Sequence, residues 1–248
     1  MHKFMILGIL QGLTEFFPVS SSAHLVIIQH FLGFKEELVF LDVSLHVGTI
    51  LSLLVFFGKD IWKVLKNGRM IGLIAIVTAV TGIIGLPFHK FFKGFFDNPS
   101  LVAVILAFNG LLLLATQWIK KENRQPGLAD SFWMGAAQAI AITPGISRSG
   151  ATISSLLFRK IGLDSAFQFS FLASIPAILG AFLYEAKDVD WKHLGSFRPA
   201  DLMAGIFCAF LSGILALVLL KKILHRDKFH LFGYYCLAAG LVFFLFLR

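Results

Sequence analysis

Six long apolar segments constrain the fold of this chain more than any other feature of its sequence. A helix needs roughly 20 residues to cross the ~30 Å hydrocarbon core of a bilayer. The segments of about this length cover residues 38–57, 71–88, 99–118, 166–184, 202–220 and 229–247. Hydrophobic residues make up 57% of the chain and charged residues 15%, whereas soluble domains average about 45–50% and 25%. The sequence therefore predicts an all-α integral membrane protein.

Two further apolar regions are too short to cross the membrane, and each is broken in the middle. Residues 4–17 and 24–34 flank one break, which begins at Pro18, and residues 132–142 and 151–158 flank the other, which contains Pro144. Irregular backbone at membrane depth is tolerated only where it is buried in protein or lines a wet cavity. We therefore expect two re-entrant helical hairpins, over residues 4–34 and 132–160.

The two broken regions resemble each other. Residues 8–27 read GILQGLTEFFPVSSSAHLVI and residues 135–154 read GAAQAIAITPGISRSGATIS, so that Gly, Gln and Pro recur in the same order. Chance similarity between apolar segments is the alternative, but the shared order of landmarks favours a repeat. We expect one membrane domain made of two repeats, 1–122 and 128–248, each with a hairpin and three transmembrane helices. Because three is odd, the second repeat is predicted to lie inverted.

The basic residues predict an orientation. Loops 59–69, 119–131 and 221–228 carry four, three and four Lys or Arg residues and lie on one predicted face. The opposite face holds a thinner set, namely Lys3, Lys35, Lys90, Lys93, Lys187, Lys192, Arg198 and Arg248. Cytoplasmic loops are enriched in Lys and Arg, so we expect the first face inside and both termini outside. The net charge of +8 is thus explained by topology, and no basic tract interleaved with aromatic residues indicates nucleic-acid binding.

The second break contains an arginine at predicted bilayer depth. An arginine there costs at least about 2.5 kcal/mol and usually has a function. Its planar guanidinium matches phosphate oxygens with two hydrogen bonds, and a helix N-terminus also attracts anions. Around Arg148, hydroxyl groups are supplied by Ser147, Ser149 and Thr152, and Gly145 and Gly150 let the backbone approach a ligand closely. Ser147 or Ser149 alone could be a helix N-cap, but capping does not explain Arg148. The second hairpin therefore predicts a phosphate-binding cup.

The first hairpin offers complementary groups. Gln11 and Glu15 are four residues apart, which places them on one helix face. Their oxygens suit Mg²⁺ or Ca²⁺, with phosphate oxygens completing the shell. The alternative is a buried Glu15 that is protonated or hydrogen-bonded to a serine. The serine run Ser20–Ser22 then supplies a candidate nucleophile, and His24 or Glu15 a candidate base.

Other polar residues in the apolar segments have simpler interpretations. Asp42 and His46 are again four residues apart; they could support the site, but pairing with each other near the membrane surface is favoured. Asn109 and Gln138 are expected to make hydrogen bonds between helices.

Two motifs carry a resemblance to a known family. The sequence QGLTE at residues 11–15 is followed by PVSSSAH at 18–24, and PGISRSGAT stands at 144–152. Both motifs, in this order, resemble the signatures of the undecaprenyl pyrophosphate phosphatase family, and the similarity covers the whole chain. The resemblance implies a multi-pass enzyme of the bacterial cytoplasmic membrane that removes the terminal phosphate from a C55 polyprenyl pyrophosphate. The monophosphate product would carry peptidoglycan and other envelope glycans, and its supply would confer bacitracin resistance.

The resemblance also implies residue roles and a divalent cation. Glu15 and Gln11 would bind the metal or act as base, Ser21 would be the nucleophile or its close support, and His24 would be accessory. Arg148 would bind the pyrophosphate together with Ser147, Ser149 and Thr152, and Ser20, Ser22, Gly145 and Gly150 complete the substrate site. Many family members carry Glu where this chain has Gln11, which leaves Glu15 as the carboxylate of that motif.

A transporter or lipid flippase is the alternative function, because inverted repeats with broken helices are also transporter architecture. A pure carrier would need the phosphate cup without Glu15 and Ser21, so the combination favours a phosphatase. The expected partners are the polyprenyl pyrophosphate lipid and the bilayer. The sequence is also compatible with a homodimer.

Overall fold

The protein is a bundle of α-helices. The computed structural model describes residues 1–31, 39–95, 98–120, 122, 124–185, 187 and 198–247. Their helices are His2–Phe16 (α1), Ser21–Phe31 (α2), Val39–Phe56 (α3), Gly58–Leu65 (α4), Gly68–Lys93 (α5), Pro99–Ala115 (α6), Leu128–Ile140 (α7), Arg148–Phe158 (α8), Leu163–Glu185 (α9), Pro199–His225 (α10) and Leu231–Phe246 (α11). Throughout these ranges β-structure amounts to an isolated bridge between Glu122 and Ile161. The predicted all-α fold is confirmed.

Several helices are long and apolar enough to cross a membrane. In the described part of the chain, four meet both criteria on their own, at Gly68–Phe88, Pro99–Trp118, Leu163–Tyr184 and Pro199–His225. Phe40–Phe56 passes only when it is taken together with Gly58–Leu65, which it meets at a bend of 71°. Four of the six predicted spans therefore have a helix of sufficient length, while the other two correspond to α3 and to the shorter apolar helix Leu231–Phe246.

The predicted loop 59–69 contains a helix, α4, which sequence analysis did not predict. Ile61, Val64 and Leu65 follow helical spacing and turn towards α5 and α9, where they line an apolar groove. Lys59 and Lys63 lie on the exposed side. Alternation of apolar and charged residues with a 3.6-residue period stabilises a helix at an interface between water and an apolar surface. The segment is therefore helical although it is too polar to span a membrane.

Both predicted breaks are observed. Helices α1 and α2 are separated at residues 17–20, and α7 and α8 at residues 141–147. Helix α7 begins at Leu128, four residues before the predicted start of the second hairpin at 132. The carboxylate of Asp130 accepts a hydrogen bond of 2.9 Å from the Gly127 backbone N–H, which stabilises this earlier start. Residues 32–34 of the first predicted hairpin lie outside the described residues, as do Lys35, Lys192 and Arg248 of the predicted outer face.

Glycines allow the hairpin helices to pack closely on long helices of the other half of the chain. A Cβ atom on Gly8 of α1 would lie 2.2 Å from the carbonyl oxygen of Gly205 in α10. In the same way a Cβ atom on Gly135 of α7 would lie 2.8 Å from the Val80 side chain in α5. Separations this short show that α1 contacts α10, and α7 contacts α5, at very close range.

The interior and the periphery of the bundle differ in their side chains. Phenylalanines form an aromatic core, in which Phe57 and Phe171 stack with ring centroids 5.8 Å apart. Large apolar side chains on the long helices point outwards, such as Ile83 at 73% and Phe108 at 63% exposure. An apolar exterior around a bundle whose centre contains polar side chains is the arrangement expected in lipid.

Candidate active site

Glu15 lies at the point where the two broken regions meet. It occupies the last turn of α1 and is 7% exposed. Its Oε1 atom forms an ion pair with Nη2 of Arg148, the first residue of α8. Its Oε2 atom accepts a hydrogen bond of 2.7 Å from Oγ of Ser21, the first residue of α2. The carboxylate therefore connects an arginine and a serine that are 127 residues apart in the chain (148 minus 21).

Gln11 lies one turn before Glu15 and is fully buried. Its Nε2 atom donates a hydrogen bond of 3.1 Å to Oε2 of Glu15. Its Oε1 atom is buried and has no hydrogen-bond partner among the described residues. A buried amide oxygen without a partner carries a desolvation cost of about 1–3 kcal/mol, which a bound water or ion would relieve.

His46 completes the surroundings of Glu15. Its Nε2 atom is 3.7 Å from Oε2 of Glu15, and its Nδ1 atom is 2.7 Å from the backbone carbonyl of Asp42. Asp42 in turn accepts a hydrogen bond of 2.6 Å from Gln29 of α2. The His46 side chain is 29% exposed, so this side of the site is accessible. Sequence analysis favoured a pair between Asp42 and His46, whereas the structure also places His46 beside the carboxylate.

Hydrogen bonds between side chains and backbone groups join the tips of the two hairpins. Oγ of Ser20 accepts a bond of 3.2 Å from the Gly145 N–H. In the reverse direction, Oγ of Ser149 donates a bond of 3.2 Å to the carbonyl of Phe17. Asn109 of α6 bridges the tips, because its side chain donates to the carbonyl of Pro18 and accepts from the N–H of Ser147. The predicted role of Asn109 in hydrogen bonding between helices is confirmed.

The remaining residues of the second break have structural partners. Ser147 is the N-cap of α8 and accepts a hydrogen bond of 3.1 Å from the Gly150 N–H. Gly145 has a φ of +97°, and a Cβ atom there would lie 2.8 Å from the carbonyl of Val102 in α6. Oγ1 of Thr152 lies 2.7 Å from Oγ of Ser170 in α9. The hydroxyls and glycines around Arg148 therefore fix the shape of the tip.

His24 points away from Glu15. Its Nδ1 atom lies 2.8 Å from the carbonyl of Ser20, and its Nε2 atom lies 2.8 Å from the hydroxyl of Tyr235 in α11. The side chain is 3% exposed. Since both ring nitrogens have other partners, the carboxylate of Glu15 is the base that the structure brings to the Ser21 hydroxyl.

This geometry suits chemistry on a phosphate group. A hydroxyl that donates to a buried carboxylate can lose its proton as it attacks. A guanidinium has five N–H donors, and Glu15 engages one of its nitrogens, which leaves others for an anion. The free N–H groups at the N-termini of α2 and α8 add partial positive charge at the same place.

Comparison with known proteins identifies the family. The sequence profile described as bacitracin resistance protein BacA matches residues 4–242. The chain belongs to this family.

Relatives with curated names agree with the family assignment. The chain is 40% identical over 268 aligned residues to undecaprenyl-diphosphatase of Alkaliphilus metalliredigens, covering 98% of each chain. It is 41% identical to undecaprenyl-diphosphatase of Syntrophotalea carbinolica, covering 97% of this chain and 96% of the relative. It is 38% identical to the protein of the same name from Halothermothrix orenii, with 97% and 95% covered. The similarity therefore extends over both hairpins and the long helices alike.

Sequence reasoning did not single out Tyr235, which contacts the site from α11. The residue lies in an apolar segment and belongs to no polar motif, so nothing in its local sequence marks it. Gln138, by contrast, donates a hydrogen bond of 3.1 Å to Thr81 of α5, as expected for a residue that links helices.

Proposed function

We propose that this chain is an undecaprenyl-diphosphatase, which hydrolyses the terminal phosphate from a polyprenyl pyrophosphate in the membrane. One observation carries the proposal: Ser21 donates to Glu15, and Glu15 contacts Arg148, where the two hairpins meet. The names of the relatives that match along the whole chain support the same activity. A carrier would need a cationic phosphate site but no hydroxyl hydrogen-bonded to a buried carboxylate, so a transporter is not favoured.

The residues divide the work of hydrolysis between the two hairpins. Oγ of Ser21, or a water molecule that it orients, attacks the terminal phosphorus, and Glu15 Oε2 accepts the proton. The bond from phosphorus to the bridging oxygen breaks, and the electron pair leaves with the lipid monophosphate. When Ser21 itself attacks, a water molecule then cleaves the bond between phosphorus and the serine oxygen, so that inorganic phosphate leaves and the Ser21 hydroxyl recovers its proton. Arg148 and the N–H groups at the start of α8 stabilise the charge on the phosphate oxygens. Catalysis of phosphoryl transfer consists mainly of such positioning and stabilisation.

We propose that a divalent cation, Mg²⁺ or Ca²⁺, binds with the substrate at Glu15 and Gln11. The unpartnered Oε1 of buried Gln11 supports this assignment, because an amide oxygen is a suitable ligand for hard cations. Among the described residues no group of three His, Cys, Asp or Glu side chains could hold a metal ion, so phosphate oxygens would complete the shell. The cation would supply positive charge against a headgroup that carries about three negative charges.

The inverted repeat is also a proposal. Its support is a pattern of equivalent contacts between the halves. Oγ of Ser212 in α10 donates 3.4 Å to the carbonyl of Gly8, and Oγ1 of Thr81 in α5 donates 3.1 Å to the carbonyl of Gly135. Gly8 and Gly135 are the first residues of the two similar stretches. In addition, α6 packs against α11, and these are the last helices of the two halves.

We propose that the protein lies in the bacterial cytoplasmic membrane with both termini outside. The basic loops support this orientation, since Lys59, Lys63 and Lys66 lie on or next to α4 and are exposed. The site would then be entered from the outer side, because the partly exposed His46 lies in the first half of α3, which is the predicted outer half.

The first experiment measures phosphate release from undecaprenyl pyrophosphate by purified protein, with Mg²⁺, with Ca²⁺ and with EDTA. We expect release that EDTA abolishes. Glu15→Gln removes the charge that accepts the proton and should abolish turnover. Gln11→Glu should retain activity and depend more steeply on the cation, because it places a second carboxylate beside the first.

Two results would count against these assignments. If Glu15→Gln is active and insensitive to EDTA, Glu15 is neither the base nor a metal ligand. Lipid translocation by a wild-type protein that releases no phosphate would favour the transporter.

A further inference from the structure

Ser20 has a backbone conformation that is unusual for its residue type. Its φ is +64°, in the left-handed region. A residue with a Cβ atom is strained there and stays so only when its surroundings impose the conformation. Ser20 is followed immediately by Ser21, the first residue of α2. The left-handed conformation of Ser20 therefore sets the direction in which the Ser21 hydroxyl points, which is towards Glu15.

Oγ of Ser20 accepts a hydrogen bond from the Gly145 N–H, and His24 makes a second hydrogen bond that holds Ser20 in this conformation. Its Nδ1 atom lies 2.8 Å from the carbonyl oxygen of Ser20. A carbonyl oxygen only accepts, so Nδ1 carries the hydrogen, and in a neutral ring Nε2 is then an acceptor. In this tautomer Nε2 accepts a hydrogen bond from a donor on the opposite side of the ring.

Tyr235 is that donor. Its hydroxyl lies 2.8 Å from Nε2 of His24, and the two rings are stacked with centroids 5.8 Å apart and an angle of 10° between their planes. The ring of Phe243 meets His24 edge-on at 5.8 Å. Helix α11 thereby holds the imidazole in one position and selects its tautomer.

We propose that Tyr235 and His24 are positioning residues that hold Ser20 in the left-handed conformation and so aim the Ser21 hydroxyl at Glu15. Neither residue transfers a proton to or from the substrate. This inference rests on the proposed phosphatase function and adds to it a contact from α11, far from both sequence motifs. Misplacing a reacting group by about 1 Å can cost on the order of a hundredfold in rate, so a positioning defect is measurable.

The first test compares the two neighbouring tyrosines. Tyr235→Phe keeps the stacked ring and removes the hydroxyl, so kcat for phosphate release should fall by about tenfold or more, with KM little changed. Tyr234→Phe is the matched control, because Tyr234 is similarly exposed on the same helix (56% against 48%) whereas the hydroxyl that contacts Nε2 of His24 belongs to Tyr235; it should behave as wild type. Equal kcat values for Tyr235→Phe and wild type would exclude a role for the Tyr235 hydroxyl.

The second test separates the two ring nitrogens of His24. The side-chain N–H of His24→Asn takes the place of Nδ1 and can still reach the Ser20 carbonyl. The longer side chain of His24→Gln takes the place of Nε2 instead. We expect His24→Asn to lose about tenfold, like Tyr235→Phe, because it keeps the contact with the Ser20 carbonyl but loses the one with Tyr235, and we expect His24→Gln and His24→Ala to lose about a hundredfold. Loss of activity in His24→Asn equal to that in His24→Ala would indicate proton transfer by the ring.

The third test uses glycine, which adopts a positive φ without strain. In a Ser20→Gly background, His24→Ala should cost much less than in wild type, because a glycine at this position needs no hydrogen bond to stay left-handed. Additive losses would contradict the proposal. Thermal unfolding of each variant checks that it is folded. If wild type releases no phosphate, or if Glu15→Gln releases it as fast as wild type, the proposed phosphatase function is wrong. If only Tyr235→Phe matches wild type, the phosphatase function stands and the positioning role of Tyr235 is wrong.

Discussion

At the level of single residues, Glu15 is surrounded by more donors than a carboxylate normally collects in an apolar interior. Arg148, Ser21 and Gln11 all contact it, and His46 lies nearby. A buried charge is tolerated when it is paired and hydrogen-bonded. The same contacts hold Ser21 and Arg148 at the two oxygens of the Glu15 carboxylate, so the pairing that stabilises Glu15 also positions the two groups that the proposed mechanism uses.

The role of Arg148 is tested by its replacement. Arg148→Ala should be folded but nearly inactive, because losing one preorganised donor commonly costs about a hundredfold or more. Arg148→Lys should recover little, since an ammonium group cannot form the planar pair of hydrogen bonds. Single-turnover phosphate release, measured beside lipid binding, checks both. A Lys variant with wild-type rates would contradict the bidentate role.

At the level of helices, the position of α1 depends on close contact with α10. A Cβ atom on Gly12 would lie 2.0 Å from Oγ of Ser212 and 2.4 Å from the carbonyl of Ala209. Glu15 follows Gly12 by three residues on the same helix, so any displacement of α1 moves the carboxylate. The packing of an apolar helix face thus decides the geometry of the site.

Gly12→Ala should therefore reduce both stability and activity. Overpacking of this kind costs about 1–3 kcal/mol, and the shift of α1 should lower the rate of phosphate release even at temperatures where the variant is fully folded. Gly82→Ala is the control, because nothing lies within 4 Å of a Cβ atom at that position of α5. There the better helix propensity of alanine should leave stability unchanged or raise it by up to about 1 kcal/mol. If Gly12→Ala has wild-type activity, the close contact between α1 and α10 is not needed to position Glu15.

The base of the second hairpin is held by an ionic cluster around Asp130. The carboxylate is 2% exposed and pairs with Arg124 of the linker and with Arg159 at the end of α8. Nη2 of Arg124 also donates 2.6 Å to the carbonyl of Arg159. Burial alone would raise the pKa of Asp130, but hydrogen bonds from Arg124, Arg159 and the Gly127 N–H lower it from 3.8 to about 2. The cluster joins both ends of the hairpin to the linker.

Asp130→Asn should destabilise the protein by about 1–3 kcal/mol, because two guanidinium groups lose their partner. The folded-state pKa is the lower one, so the charged carboxylate stabilises the fold above pH 3.8 and this contribution is lost as the pH falls to about 2. Thermal unfolding in detergent across this pH range should show that the difference in Tm between Asp130→Asn and wild type becomes smaller as the pH falls. Asp60→Asn is the control, since Asp60 forms an exposed pair with Lys63 at 3.4 Å that is worth about 0–1 kcal/mol. A gap that stays constant with pH would exclude the cluster as its cause.

At the level of the entire bundle, each hairpin packs on the opposite half. Helix α1 lies on α10 and α7 on α5, so neither half forms its share of the site alone. In the proposed inverted repeat, an odd number of spans in each half would place corresponding helices in opposite directions. The two N-termini that face the site, those of α2 and α8, can then converge from opposite sides of the membrane.

Cysteine labelling tests this topology. After replacement of the free cysteines Cys208 and Cys236, the variants Lys66→Cys and Lys222→Cys should react only with reagent on the cytoplasmic side. A cysteine added after residue 248 should react from outside. Labelling of Lys66→Cys and of the added C-terminal cysteine from the same side would exclude an odd number of spans in each half.

The membrane class, the two breaks and the residues that meet there follow from the amino-acid sequence alone. Length and apolarity decide whether a helix can span lipid. Pro18 and Pro144 mark breaks because polar and small residues follow them, whereas Pro87 and Pro176 in apolar surroundings lie inside continuous helices. Arg148 and Glu15 were predicted because polar groups at membrane depth are costly and therefore rarely accidental. These are local properties, which a chain carries before it folds.

The partners of these residues depend on the tertiary structure. That Glu15 joins Ser21 to Arg148, that His24 contacts Tyr235 across 211 positions of sequence, and that Asp130 closes the base of a hairpin all depend on which helices pack together. Close packing follows from glycine positions on two helices at once, and no single segment specifies its partner. His24 illustrates the difference: its motif indicates acid–base chemistry, whereas its contacts with Ser20 and Tyr235 indicate that it positions a neighbouring hydroxyl.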